Sequence, residues 1–232
     1  MVRLLLISDI HANLIALRAV LKDAGAVDVI LSAGDLVDYN PWPTETVDLV
    51  RQLRIRSVLG NHDRDAALGT PEGYNIYAQA SCLWTHEQIK NEVGKYILSL
   101  PDKIRGVYDG VSFFICHGSP RDLLDEYVFP PPYTNRHTLQ QLLIMAEADV
   151  LVMGHTHIPF IEELPEGFVV NPGSVGQPRD YDPRASYILV DIENTCPSFV
   201  FRRVSYNVGE VAKRIVEVGL PGFLAKRLYD GI

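Results

Sequence analysis

Cysteine is scarce in this 232-residue chain: Cys82, Cys116 and Cys196 are widely spaced, odd in number and include no C-x-x-C pair. That excludes a disulfide framework and a zinc-finger set, and it fits a reducing compartment. Cys116 lies in an apolar run and reads as core rather than as a nucleophile. Basic charge is also short, with 21 Lys+Arg against 29 Asp+Glu and a formal net charge of −8. No Lys/Arg cluster offsets the deficit locally, so a protein that coats nucleic-acid backbones is excluded. A single phosphate-bearing substrate is still compatible, because dications held in a site reverse the local charge. No run approaches the ~20 apolar residues of a membrane helix. Leu4-Leu5-Leu6-Ile7 follows Arg3, but Asp9 and His11 end that run short of signal-peptide length. The expected compartment is therefore cytoplasmic. Repeats, low-complexity tracts and linkers are lacking as well, which leaves one domain over residues 1–232 as the expected organisation.

What the chain does have is a globular composition, 47% hydrophobic and 22% charged. This length buries a sizeable core without structural metal, so a metal, if bound, is there for function. Apolar runs at residues 4–8, 29–33 and 57–59 alternate with amphipathic segments at 14–24 and 46–53. That βαβαβ order predicts parallel pairing with right-handed crossovers. Residues 43–45 lead into the second helix, with Thr44 expected as its N-cap. One long helix is expected over residues 74–98, stopped by Pro101. Asp109-Gly110 signals a hairpin between 105–108 and 111–116, and Pro165-Glu166-Gly167 another between 160–164 and 168–171. A helix at 138–148, strands at 150–153, 186–191 and 199–204, and a closing helix at 208–218 capped by Asn207 complete the reading. Two kinds of sheet pairing in one α/β domain follow.

The polar residues fall in a pattern. The first strand stops at Asp9-Ile10-His11, the second at Gly34-Asp35, and the third at Gly60-Asn61-His62-Asp63. The run 113–116 stops at His117, and 150–153 stops at Gly154-His155-Thr156-His157. Of the seven histidines only His86 and His137 fall outside this set. In open α/β sheets the carboxyl ends of strands are where ligands bind. Singly, each feature has an ordinary structural reading: Asp35 as a cap, Gly60-Asn61 as a turn, His117 as a core histidine. Together they would bury many carboxylates and imidazoles at one edge, at a cost of several kcal/mol per group without counter-charge. Bound dications remove that cost. The donors are all nitrogen and oxygen, which suits Mn²⁺ first, with Fe, Zn²⁺, Ni²⁺ or Co²⁺ as alternatives. Seven candidates (Asp9, His11, Asp35, Asn61, His117, His155 and His157) exceed one tetrahedral ion and fit two ions sharing a carboxylate. Such pairs, about 3.5–4 Å apart, clamp the attacking and leaving oxygens of phosphoester hydrolysis.

The series Asp9-x-His11, Gly34-Asp35-x-x-Asp38, Gly60-Asn61-His62-Asp63, His117 and Gly154-His155-x-His157 resembles the calcineurin-like metallophosphoesterase superfamily. The later Asn171-Pro172-Gly173-Ser174-Val175-Gly176 is similar to its small bacterial and archaeal branch, which includes YfcE-type phosphodiesterases. The resemblance implies a four-layer α/β/β/α sandwich with two mixed β-sheets and the metals at one edge. By position it implies Asp9, His11 and His157 on one ion, Asn61, His117 and His155 on the other, and Asp35 bridging. It further implies in-line attack by a metal-bridging hydroxide, with His62 protonating the leaving oxygen and Asp63 orienting His62. Asp38 is expected to hold loop structure or to contact the site from outside the ligand set rather than to bind a metal.

The expected activity is dinuclear, metal-dependent hydrolysis of small phosphodiesters or phosphomonoesters. The rival is a non-catalytic scaffold of the same fold that binds protein partners, as in a retromer subunit of the family that lacks the catalytic histidine. The intact His62 favours the enzyme. No partner beyond a small phosphoester is called for, neither nucleic acid nor membrane, and a homo-oligomer is compatible. The motif arginine of the family's Ser/Thr protein phosphatases is replaced here by Tyr39-Asn40. Arg64 or Arg121 is the available substitute, though each also reads as a plain loop cation. Trp42 either stacks a nucleobase or packs its loop, and Tyr74, Tyr77 and the segment 127–133 either wall a cleft or cover the core.

Overall fold

A computed structural model describes residues 1–89 and 91–232. Two five-stranded mixed sheets carry the chain. The first has the order β10-β9-β1-β2-β3, from β1 (Val2–Ile7), β2 (Val29–Ser32), β3 (Arg56–Ser57), β9 (Ala185–Glu193) and β10 (Cys196–Val204). The second has the order β4-β5-β6-β8-β7, from β4 (Lys103–Tyr108), β5 (Val111–Cys116), β6 (Val150–Val152), β7 (Phe160–Leu164) and β8 (Gly167–Asn171). In each sheet three parallel strands stand together, β1-β2-β3 and β5-β6-β8, flanked by antiparallel neighbours.

The period-two alternation of strand side chains decides the layering. Leu4 and Leu6 face an inter-sheet core shared with Phe113, Ile115, Val150, Val152, Ile188 and Val190. Their neighbours Leu5 and Ile7 turn outward onto α1 (Leu14–Ala24), meeting Leu17 and Val20. On the second sheet Phe114, Cys116 and Leu151 pack against Leu139, Leu142 and Leu143 of α6 (Arg136–Ala146). Helix, sheet, sheet and helix layers result, as expected, and Cys116 is core. α1 is as expected, and its N-cap Asn13 accepts from the Ala16 amide.

Three local expectations are corrected. Helix α2 spans Pro43–Gln52 and starts one residue before Thr44, which lies inside it and donates its hydroxyl to the Gln88 carbonyl; Trp42 stands at the cap without a side-chain bond. Proline at the first helical position suits the start by itself, since it has no N–H to satisfy. The single helix expected over 74–98 is instead α4 (Ile76–Gln88) and α5 (Glu92–Leu98). Asn91 adopts φ +66 between them, a left-handed conformation a continuous helix cannot hold; residue 90 lies outside the described residues. Two helices were not anticipated, α3 (Asn61–Leu68) directly after the third strand and α8 (Gly222–Asp230) after the closing helix α7 (Val208–Glu217).

Candidate metal centre

The carboxyl ends of β1, β2, β3, β5 and β6 meet at one edge between the sheets. The loops are tied to one another by main-chain bonds: the Asp9 amide donates to the Gly34 carbonyl, His11 to Asp35, and Gly154 to His117. Asp9, His11, Asp35, His155 and His157 all take positive φ, between +46 and +67. Such residues cost of order 1–2 kcal/mol each and persist where surrounding structure holds them. Here they turn successive side chains inward. Two glycines make room: a Cβ on Gly60 would meet Asp35 Oδ1 at 2.0 Å, and one on Gly154 would meet Ser8 Oγ at 2.1 Å.

All seven expected ligands are buried and converge in two groups. In the first, His157 Nε2 is 3.1 Å from Asp9 Oδ1 and 3.1 Å from His11 Nε2, and His11 Nε2 is 3.5 Å from Asp35 Oδ2. In the second, His117 Nε2 is 3.1 Å from His155 Nδ1, 2.9 Å from Asn61 Oδ1 and 3.3 Å from Asp35 Oδ2. Asp35 belongs to both groups. Ligand nitrogens about 2.0–2.1 Å from one ion and at right angles to each other stand roughly 3.0 Å apart.

Proton bookkeeping supports the same reading. His11, His157 and His117 each direct Nδ1 at a main-chain carbonyl, of Val37, Gln177 and Ala33 respectively. A carbonyl only accepts, so those Nδ1 atoms carry the hydrogens, and the neutral rings of His11 and His157 present lone pairs at Nε2. Tyr74 Oη takes the Asn61 Nδ2 hydrogen at 2.9 Å, which fixes Asn61 Oδ1 toward the cluster. In the first group lone pairs thus face lone pairs, and Asp9 Oδ1 and Asp35 Oδ2 are buried without a hydrogen-bond partner. Positive charge among them resolves the conflict, and the residues fit two divalent ions.

Burial, aided by neighbouring cations, holds His11 and His157 well below the usual imidazole range, and burial with His117 pushes His155 down to about 3. These are ligand-ready neutral rings. Burial also opposes charge on His117, but Asp35 outweighs it and raises the ring to about 9. Burial would raise Asp35 in turn, yet the surrounding histidines hold it well below the carboxylate range.

His62 lies beside the cluster without entering it, its main-chain N–H donating to Asp35 Oδ1 at 3.0 Å. The expectation that Asp63 orients its ring is corrected. Asp63 accepts from the amides of Leu36, Val37 and Gly60, which starts α3 and ties it to the Asp35 loop. Asp38 Oδ2 instead holds His62 Nδ1 at 2.7 Å, while Asp38 Oδ1 accepts from the Tyr39 amide and Ser81. Burial disfavours the His62 cation, but Asp35 and Asp38 prevail and raise its pKa. Its Nε2 meets Tyr39 Oη at 3.2 Å, and its ring stacks on Tyr74 with centroids 4.6 Å apart.

The segment after β8 braces the centre: Ser174 Oγ donates to the Asp9 carbonyl, and the Gln177 carbonyl holds His157. Arg64, which lies on α3 rather than in a loop, is paired with Asp65 and Asp125, and the loop cation Arg121 with Glu126. Trp42 packs into the α7–α8 cluster. Tyr127 stacks on His155 with centroids 3.8 Å apart, whereas Tyr77 stacks on Phe223. Beside the centre opens a cavity of about 370 Å³ lined by Tyr39, His62, Tyr74, Tyr127, Arg179 and Arg227. Neither arginine was anticipated, and no local motif around Arg227 marks it.

Residues 2–195 match the family model described as the calcineurin-like phosphoesterase superfamily domain. An uncharacterised protein of Methanocaldococcus jannaschii is 36% identical over 245 residues, covering 97% of this chain and 96% of its own length. Phosphodiesterase YfcE of Escherichia coli is 28% identical over 204 residues, covering 82% of this chain and 88% of its own. The crystal structure of a metallophosphoesterase from Sphaerobacter thermophilus superposes with a TM-score of 0.84 at 37% identity, over 100% of this chain and 99% of that one.

Proposed function

The chain belongs to the calcineurin-like phosphoesterase superfamily, and from that premise we propose that it is a dinuclear metal-dependent hydrolase of small phosphodiesters or phosphomonoesters. The observation that carries this is Asp35, common to two buried donor groups and with its Oδ2 left without a hydrogen-bond partner. Asp9, His11 and His157 would hold one ion, Asn61, His117 and His155 the other, with Asp35 common to both. When bound, such ions supply Lewis-acid charge and lower the pKa of water toward neutrality. Mn²⁺ suits this nitrogen and oxygen set.

The chain's own residues supply the remainder. The outer carbonyls of Val37, Ala33 and Gln177 fix the ring orientations of His11, His117 and His157 before substrate arrives. His62, its pKa raised by Asp35 and by Asp38, would give its Nε2 proton to the departing oxygen. Tyr39 and Tyr74 hold that ring against the cavity. Turnover of bis-p-nitrophenyl phosphate and p-nitrophenyl phosphate with Mn²⁺, abolished by a chelator and restored by added metal, is the expected result. Stable metal binding with no turnover of either ester would replace this reading with a scaffold role.

A further inference from the structure

Two arginines share the cavity beside the metal centre, and their positions are unusual for an acidic protein. Arg179 comes from the loop between β8 and β9, and Arg227 from α8. Their guanidinium carbons lie 6.0 and 5.8 Å from the centroid of the same ring, Tyr39, whose hydroxyl meets His62. Among the described residues neither is within salt-bridge distance of an Asp or Glu side chain. Other half-buried arginines here behave differently: Arg64 and Arg203 each hold a carboxylate. Arg179 bonds Gln177 Oε1 at 3.2 Å and leaves its buried Nε without a partner. Arg227 gives Nε to the Ile232 main-chain oxygen. Burial, with Arg179 adding repulsion, lowers Arg227 to about 10. Two partly desolvated like charges kept together with no Asp or Glu side chain paired to either cost free energy that an anionic ligand would recover.

The reacting phosphoryl group already has the metal side of His62 for its charge. We infer that Arg179 and Arg227 form a separate oxyanion subsite, selecting phosphoesters whose organic part carries a second phosphoryl or carboxylate group. Guanidinium forks suit both anions through paired N–H donors. Tyr74 and Tyr127, each stacked on a histidine of the site, line the same cavity as the two arginines. Arg227 on α8 lies beyond the residues matched by the family model and Arg179 within them, so the subsite joins the carboxyl-terminal segment to the shared domain. The inference rests on the phosphoesterase reading for the place of the first anion.

Calorimetric binding of non-hydrolysable phosphonates to the Mn²⁺-loaded protein tests it, with Mn²⁺ held equal in cell and syringe. Propylphosphonate carries one anion; propane-1,3-bisphosphonate and hexane-1,6-bisphosphonate carry two; 4-phosphonobutyrate replaces the second phosphoryl by a carboxylate. At one of the two spacings the bisphosphonate should bind about 10- to 100-fold tighter than propylphosphonate. Arg227→Gln should bring that ratio within about threefold, and Arg227→Lys should keep part of it, retaining charge without the fork. An equal gain for 4-phosphonobutyrate would assign the subsite to carboxylates, and a gain confined to bisphosphonates would assign it to phosphoryl groups. Equal affinity for one and two anions at both spacings overturns the inference. So does a preference that survives both Arg179→Gln and Arg227→Gln in variants of unchanged melting temperature. Anion selectivity in a protein that turns over no aryl phosphoester would instead overturn the hydrolase reading and leave the subsite standing.

Discussion

Asp35→Asn should cost more activity than any other single ligand change, at least about a hundredfold. Outer partners of metal ligands are typically worth 10- to 100-fold, and Asp35 is placed as a ligand common to both ions. Its Oδ2 lies 3.5 Å from His11 Nε2 and 3.3 Å from His117 Nε2, while Oδ1 takes the His62 amide. Among the described residues no other His, Cys, Asp or Glu side chain belongs to both donor groups. The amide is nearly isosteric, so the fold should survive and the loss should appear in metal content. A pH signature accompanies it. His117, raised to about 9 by Asp35, must lose a proton when an ion binds, so metal uptake by the parent protein should strengthen from pH 6.5 toward 9. Without the Asp35 charge that ring titrates lower, and the pH dependence should move down with it. Changing Asp9 or His155 should weaken mainly one group. Parallel measurement of turnover and bound Mn²⁺ at several pH values decides this. Near-normal activity of Asp35→Asn at micromolar Mn²⁺ would remove the bridging role.

His62→Asn should separate proton transfer from metal binding. General acid catalysis contributes ~10²–10⁴-fold, so alkyl esters, whose leaving oxygen is strongly basic, should slow by that order. p-Nitrophenyl esters, which leave as a weakly basic anion, should slow visibly less. Metal content should hold, because His62 lies outside both donor groups. Asp38→Asn should reproduce the leaving-group dependence in milder form. Its carboxylate raises the His62 pKa, and an acid must be protonated to act, so the alkaline limb of the pH–rate profile should shift to lower pH. Asp63→Asn should instead lower thermal stability, since Asp63 receives three main-chain amides rather than the ring. Equal losses for both leaving groups in His62→Asn would make it a phosphate-positioning residue, and loss of an ion would make it a ligand.

The clustered Asp, Asn and His residues were legible because buried strands are written as apolar runs, and the first acid, amide or imidazole after each run marks a sheet edge. Leu4 to Ile7 followed by Asp9, and Val150 to Val152 followed by His155, are read by the same rule on two different sheets. The partner of the His62 ring was not legible. Asp63 is adjacent in sequence, but α3 begins at Asn61 and turns Asp63 back toward the Gly60 amide, while the left-handed backbone at Asp38 delivers its carboxylate from another loop. The break between α4 and α5 hinges on Asn91, a residue that gives no Gly or Pro signal. Arg179 and Arg227 converge only through the packing of α8, which no spacing along the chain encodes.

Anomalous diffraction at the manganese edge, from crystals of the protein loaded with Mn²⁺ and never exposed to chelator, addresses the dinuclear claim most directly. Two peaks are expected, one against Asp9, His11 and His157 and one against Asn61, His117 and His155, both within bonding distance of Asp35. A single peak after full loading, with Asn61, His117 and His155 making no contact to metal, would contradict it.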